Sequence, residues 1–193
     1  MSELDKLQPL RLKGRARPES LATAWHCDAE TAQQVLDALV AEGLANEKQG
    51  WYGLSEQGEA QRVTALDAER AALDAKALSA CYDDFCTLNS DFKQLVTDVQ
   101  LGALASELAP ERLTALHQRF EPLLTRTGET APRLDSYARR FCAALEALQA
   151  GDPRYLASPM VESYHTLWFE LHEELIQLLG RTRAEEAAAG RGA

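Results

Sequence analysis

Residues 18–58 read PESLATAWHCDAETAQQVLDALVAEGLANEKQGWYGLSEQG. Pro18 opens a helix at a position where its missing N–H costs nothing, and Glu19 to Trp25 continue it. His26-Cys27 makes a turn, and Asp28 is placed to accept from the first-turn N–H groups of the next helix. Across 28–42, Ala32, Val35, Leu36, Leu39 and Val40 recur at helical spacing and make one apolar face. Gly43 stands where a left-handed residue ends a helix. Leu44 to Leu54 then offer two short half-apolar stretches around a polar turn containing Gly50, the pattern of a β-hairpin. Ser55 caps a further helix, with Gly58 in its first turn.

Upstream, Leu4, Leu7, Leu10 and Leu12 mark one more helix. The order helix, helix, turn, helix, hairpin, helix predicts a winged helix-turn-helix over 4–62. Downstream, helical apolar periodicity runs near 56–73, 75–101, 110–127, 132–150 and 159–180. Breaks fall at Asp74, Gly102 to Pro110, Gly128 to Pro132, and Gly151-Asp152-Pro153. Short loops between such helices predict a helical bundle over 63–182. From Arg183 the chain lacks an apolar face, so 183–193 reads as a flexible tail. The fold class expected is mainly α with a small β wing.

The 193 residues are 46% hydrophobic and 26% charged, which provides for a core and excludes disorder of the bulk. Thirty acidic against twenty basic residues give a net charge of −10, which disfavours nonspecific attraction to nucleic acid or anionic membrane. No apolar run reaches the ~18 residues that cross a bilayer, and Met1 to Lys6 hold no signal-peptide core. Cys27, Cys81, Cys86 and Cys142 lack metal or redox spacing and read as reduced thiols. The expectation is a cytoplasmic protein without a membrane partner.

In a DNA-binding winged helix, 28–42 is the recognition helix, which ordinarily reads bases through Arg, Lys, Asn or Gln. Here it carries Asp28, Glu30, Gln33, Gln34, Asp37 and Glu42, with no Lys or Arg. Residues 1–62 hold seven basic and ten acidic residues, net −3. Arg11, Lys13, Arg15 and Arg17 cluster before the second helix, and Lys48 stands alone at the wing tip. A DNA-binding reading would use Arg11, Lys13, Arg15, Arg17, Gln33, Gln34 and Lys48. A protein-docking reading treats the cluster as a solvated loop.

The densest feature of the last long helix is Glu162 to Ile176. Val161, Tyr164, Trp168, Leu171 and Leu175 form one stripe, and His165, Phe169, His172 and Ile176 form its neighbour. Glu170, Glu173 and Glu174 are expected to face outward. Seven residues separate the two histidines, about 10 Å along a helix, too far to share one ion without a third group such as His117, Asp98 or a cysteine. Tyr164, His165, Trp168 and His172 are either a ligand pocket or interior packing with hydrogen-bonded histidines. Asp83-Asp84 reads as a solvated face. No phosphate loop, dinucleotide fingerprint or nucleophile elbow is present. No catalytic residue, metal or cofactor is expected.

Leu54-Ser55-Glu56-Gln57-Gly58 resembles the wing-closing junction of MarR-like proteins, and Leu10 to Ala16 resembles the start of bacterial winged-helix proteins. Leu88 to Lys93, Ala150-Gly151-Asp152 and Ser163 to Leu175 together resemble a helical region of pyruvate phosphate dikinase-like, phosphoenolpyruvate-utilising proteins. The chain departs from dikinases in holding neither an ATP-grasp domain nor a Gly-rich Thr-His segment. The resemblance therefore implies a regulatory or accessory relative with no catalytic residue to transfer. Two readings follow. One is a non-catalytic regulatory or accessory protein, homodimeric, working through protein contacts with such a phosphotransferase. The other is a MarR-like transcription regulator with a ligand-sensing helical domain.

Overall fold

Ser2 begins the first helix by a reciprocal cap: the Asp5 N–H donates to the Ser2 hydroxyl (3.1 Å), and the Ser2 N–H donates to the Asp5 carboxylate (2.6 Å). The computed structural model describes residues 1–188 and is mainly helical with one two-stranded antiparallel sheet. The chain divides into two units, Met1–Ala72 and Leu73 onward.

The first unit runs α1 (Glu3–Lys13), α2 (Pro18–Trp25), α3 (Ala29–Ala41), β1 (Ala45–Lys48), β2 (Trp51–Leu54) and α4 (Glu56–Ala72). Pro9 lies inside α1 and cannot donate to the Asp5 carbonyl one turn back. The Trp25 indole N–H takes that carbonyl instead, at 3.0 Å, and joins α2 to α1. Asp28 accepts from the Thr31 N–H at 2.7 Å and starts α3, and Gly43 leaves it at φ 74°. Leu7, Leu10, Leu21, Leu36 and Leu39 close the core together with Ala16, Ala45 and Tyr52. Val40, assigned above to the apolar face, is exposed, because the packed stripe follows Ala32, Leu36 and Leu39.

Strands β1 and β2 pair Ala45 with Leu54 and Lys48 with Trp51. Ala16 adds a third line to this sheet, since its N–H and C=O exchange two 2.9 Å backbone bonds with Tyr52. Ser55 caps α4 by accepting from the Gly58 N–H at 3.0 Å. The expected boundary at 62 falls inside α4, which runs unbroken to Ala72.

The second unit comprises α5 (Ala75–Gln100), α6 (Ala109–Thr130), α7 (Ser136–Gln149), α8 (Arg154–Ala157), α9 (Tyr164–Leu178) and α10 (Arg183–Ala188). The expected break over Gly128 to Pro132 falls at the end of that interval, since α6 continues through Gly128 to Thr130. A Cβ at Gly128 would lie 3.1 Å from the Asp135 Cα, so this glycine admits the turn at Pro132–Asp135 against the helix. Ser163 starts α9 by accepting from the Thr166 N–H, which leaves Val161 outside the helix. Residues 183–188, expected to be part of a flexible tail, form α10 with Glu186 buried. Polar bonds hold it, which apolar periodicity does not register. The rest of that tail, 189–193, lies outside the described residues. Among the described residues, no helix is long and apolar enough to cross a membrane.

Gly58 gives a direct test of the first unit's geometry. A Cβ there would lie 1.9 Å from the Leu44 carbonyl oxygen, which is backbone and cannot swing aside. Gly58→Ala is expected to cost roughly 2–3 kcal/mol through forced displacement, read as a lower urea midpoint by tryptophan fluorescence. An unchanged midpoint would contradict this close approach.

Candidate functional site

Alternation along the sheet of the first unit sorts its side chains onto two faces. Ala16, Ala45, Tyr52 and Leu54 face inward, the first three buried and Leu54 partly so. Their neighbours face solvent: Arg15, Arg17, Asn46, Lys48 and Trp51 are exposed. The Arg17 guanidinium stacks 4.9 Å from the Trp51 ring centroid, and Lys48 is the cross-strand partner of Trp51. The Arg15 stem lies 3.9 Å from where a Cβ on Gly53 would stand. Three cations thus share one face with a tryptophan that is 40% exposed. Lys48, read as solitary, pairs across the strands with Trp51, over whose ring Arg17 lies.

The other residues named for DNA contact have different surroundings. Arg11 lies 3.7 Å from Glu59, beside an open groove of about 570 Å³ bounded also by Gly14 and Leu54. Lys13 is partly buried. Gln33 donates to the Tyr52 hydroxyl at 2.6 Å and to Asp37 at 2.7 Å, which fixes its amide against the hairpin. Gln34 is exposed, with Glu30, Asp37 and Glu42 exposed on the same helix. Trp51 was missed as a site residue, because only the register of Ala16 with Tyr52 places the arginines over it.

In the second unit, α9 is the central element. Tyr164, Trp168 and His172 are buried, whereas His165 is exposed with its ring centroid 6.0 Å from that of Phe92. Trp168 stacks on Phe85 and Phe92 at 4.9 and 4.5 Å, and its indole N–H donates to Asn89 at 2.8 Å. Tyr164 shares a 3.0 Å hydrogen bond with His117, whose other ring nitrogen lies 3.6 Å from the Cys142 sulfur. The sequence-selected pair His165 and His172 is therefore not brought together. His117 joins Tyr164 instead.

Glu170 and Glu174, expected to face outward, are buried at 5% and 2% exposure. Arg140 donates to Glu170 at 2.7 Å and to Glu162 at 2.5 Å, and Arg133 holds Glu174 through two bonds at 2.7 and 2.8 Å. Guanidinium groups from α7 and the turn before it meet carboxylates of α9, so charges go inside in pairs. Burial also raises the Tyr137 hydroxyl well above its ordinary pKa, and the Arg140 guanidinium lies 4.8 Å from that ring. Arg140→Met should cost about 3–5 kcal/mol by leaving Glu170 buried without its cation, seen in urea denaturation. The double variant with Glu170→Met should recover much of that loss; a double variant as unstable as the single would refute the pairing argument.

His172 takes part in a second polar chain. The Tyr82 hydroxyl donates to Glu186 at 2.7 Å and stands 3.2 Å from His172 Nε2, so the ring carries its proton on Nε2. Its Nδ1 is buried and has no hydrogen-bond partner among the described residues. Burial, then the nearby Arg183 guanidinium, lowers the pKa of His172 from 6.5 to about 4. Burial also lowers His117 and His165. Among the described residues, no group of three or more His, Cys, Asp or Glu is arranged to hold a metal ion.

The folded imidazole stays neutral down to about pH 4, while the unfolded one takes up a proton below 6.5. Stability is thus full above pH 6.5 and falls as pH drops towards 4, by at most about 3 kcal/mol from this residue. His172→Gln should flatten the fall of the urea midpoint between pH 6.5 and pH 5, leaving the smaller shares of His117 and His165. A slope equal to that of the unaltered chain would show that His172 takes no part. Compared with family models, curated proteins and solved structures, the chain finds no match.

Proposed function

We propose that the first unit is a winged helix used as a protein-docking module, and that the second is a helical bundle that makes a homodimer. In this reading the protein is a cytoplasmic, non-catalytic regulatory or accessory factor. Its partner class, implied by the resemblance of Leu88 to Lys93 and Ser163 to Leu175, is a phosphoenolpyruvate-utilising phosphotransferase. The observation that carries the reading is the surface of α3. Glu30, Asp37 and Glu42 are exposed on it, it has no cation, and the amide of Gln33 is engaged by Tyr52 and Asp37. A helix so charged repels phosphates at the place where a reader of bases must approach them. Leu101, Leu108 and Met160 leave apolar side chains exposed on the second unit, surface that a homodimer would cover.

The second reading is a MarR-like regulator. Arg15, Arg17 and Lys48 around Trp51 favour it, as cations on a wing suit phosphate contact. The buried Nδ1 of His172 likewise favours a ligand-sensing role for the helical unit. Fluorescence anisotropy with duplex DNA from the gene's own upstream region separates the two. The docking reading expects weak binding that is lost as salt rises to ~150 mM. Sequence-specific binding tighter than about 10⁻⁷ M at that salt would overturn it.

A further inference from the structure

We infer that the solvent face of the hairpin, formed by Arg15, Arg17, Lys48 and Trp51, is a docking site for an acidic polypeptide segment that carries an apolar side chain between its carboxylates. The inference rests on the protein-docking reading above and names the chemistry of the partner.

Three observations converge on this face. Its cations come from two separated stretches, Arg15 and Arg17 before α2 and Lys48 at the end of β1, brought together by the register of Ala16, Tyr52 and Lys48. Trp51 is 40% exposed, whereas Trp25 and Trp168 are 7% and 3% exposed. Tryptophan and arginine are among the residues enriched at the energetic centres of protein interfaces. Arg17 is also pre-positioned: it lies 4.9 Å over the Trp51 ring, and its Nη1 is 3.7 Å from where a Cβ on Gly50 would be. Stacking fixes the plane of the guanidinium and leaves its edge free to clamp a carboxylate through two N–H groups.

Charge chooses between a peptide and a nucleic acid. Residues 1–62 carry a net −3, and Glu30, Asp37 and Glu42 are exposed on α3 of the same unit. A duplex that reached both the hairpin and α3 would bring its phosphates to those carboxylates. A short segment confined to the hairpin face meets the three cations, and screening over about 8 Å at physiological salt weakens the more distant like charges. The indole then receives the apolar side chain, a contact that a phosphate backbone does not supply.

The test uses the full chain and a fluorescein-labelled peptide of glutamate and aspartate with one central leucine. A second peptide replaces the leucine with glutamate, and a labelled DNA duplex and a single strand serve as the other probes. Anisotropy should show saturable binding of the leucine peptide at ~150 mM salt, weaker binding of the all-acidic peptide, and protection of Trp51 emission from iodide quenching. Arg15→Gln, Arg17→Gln and Lys48→Gln together should weaken it about tenfold or more, and Trp51→Ala should abolish the preference for leucine. Glu30→Gln with Glu42→Gln should leave it unchanged or tighter. All these positions are exposed, and unchanged circular dichroism will show that the variants fold. Failure of the leucine peptide, with either DNA probe bound through the same three cations, would overturn both this inference and the docking reading. Failure of every probe, or peptide binding indifferent to these residues, would overturn this inference alone and leave protein docking to another surface.

Discussion

Two backbone hydrogen bonds between Ala16 and Tyr52 decide what the first unit presents to its surroundings. A strand residue that faces inward forces its two neighbours outward. With Ala16 and Tyr52 buried, Arg15 and Arg17 must lie on the solvent side, where Trp51 also stands. The tyrosine extends the same constraint in the other direction. Its hydroxyl accepts from Gln33, whose amide also donates to Asp37, so the sheet and α3 are tied through one side chain. The cationic face and the anionic helix therefore have their positions set by one short register. Shifting that register by a single residue would send the arginines into the core.

The second unit depends on a different economy of charge. Its core is aromatic, with Phe85, Phe92, Phe120 and Phe141 arranged around Trp168 at centroid distances from 4.5 to 6.2 Å. Those rings use up much of the surface of α9, yet the helix also carries carboxylates at Glu170 and Glu174. The outward stripe of α9 runs through His165 and Phe169, and Glu170 and Glu174 lie off it, on the buried side. Arg140 and Arg133 resolve the conflict by entering with them. Such pairs add little net stability over apolar substitutes, but they penalise any packing that separates the partners. They select the seating of α7 against α9.

Element positions in this chain were legible because their punctuation is local. Asp28, Gly43, Ser55 and Asp74 each act on backbone groups within a turn of themselves, so a capping residue marks a boundary without knowledge of the fold. The misreadings share the opposite property. Gly128 resembles a helix stop, but its role is set by Asp135 packing close against it. Glu170 and Glu174 resemble a solvated face until arginines from another element meet them. The same holds for residues 183–188, where buried Glu186 accepts from Tyr82, 104 residues earlier in the chain. Of the candidate site, the cations could be listed from sequence. Their assembly around Trp51 could not, since it requires the pairing of residue 16 with residue 52.

Segregation of charge within one small unit bears on what that unit can recognise. Arg15, Arg17 and Lys48 lie on the hairpin, while Glu30, Asp37 and Glu42 lie on α3. A surface uniformly acidic would repel all anions, and one uniformly basic would accept any. Opposed patches instead reward a partner whose own charges alternate in sign over the same spacing, because each misplaced charge meets a like one. A DNA duplex cannot meet that condition, as its backbone carries a single sign throughout. A folded protein can, by placing an acidic segment against the hairpin and a basic one against α3. The juxtaposition of the two patches, more than either alone, favours the proposed protein partner over a duplex.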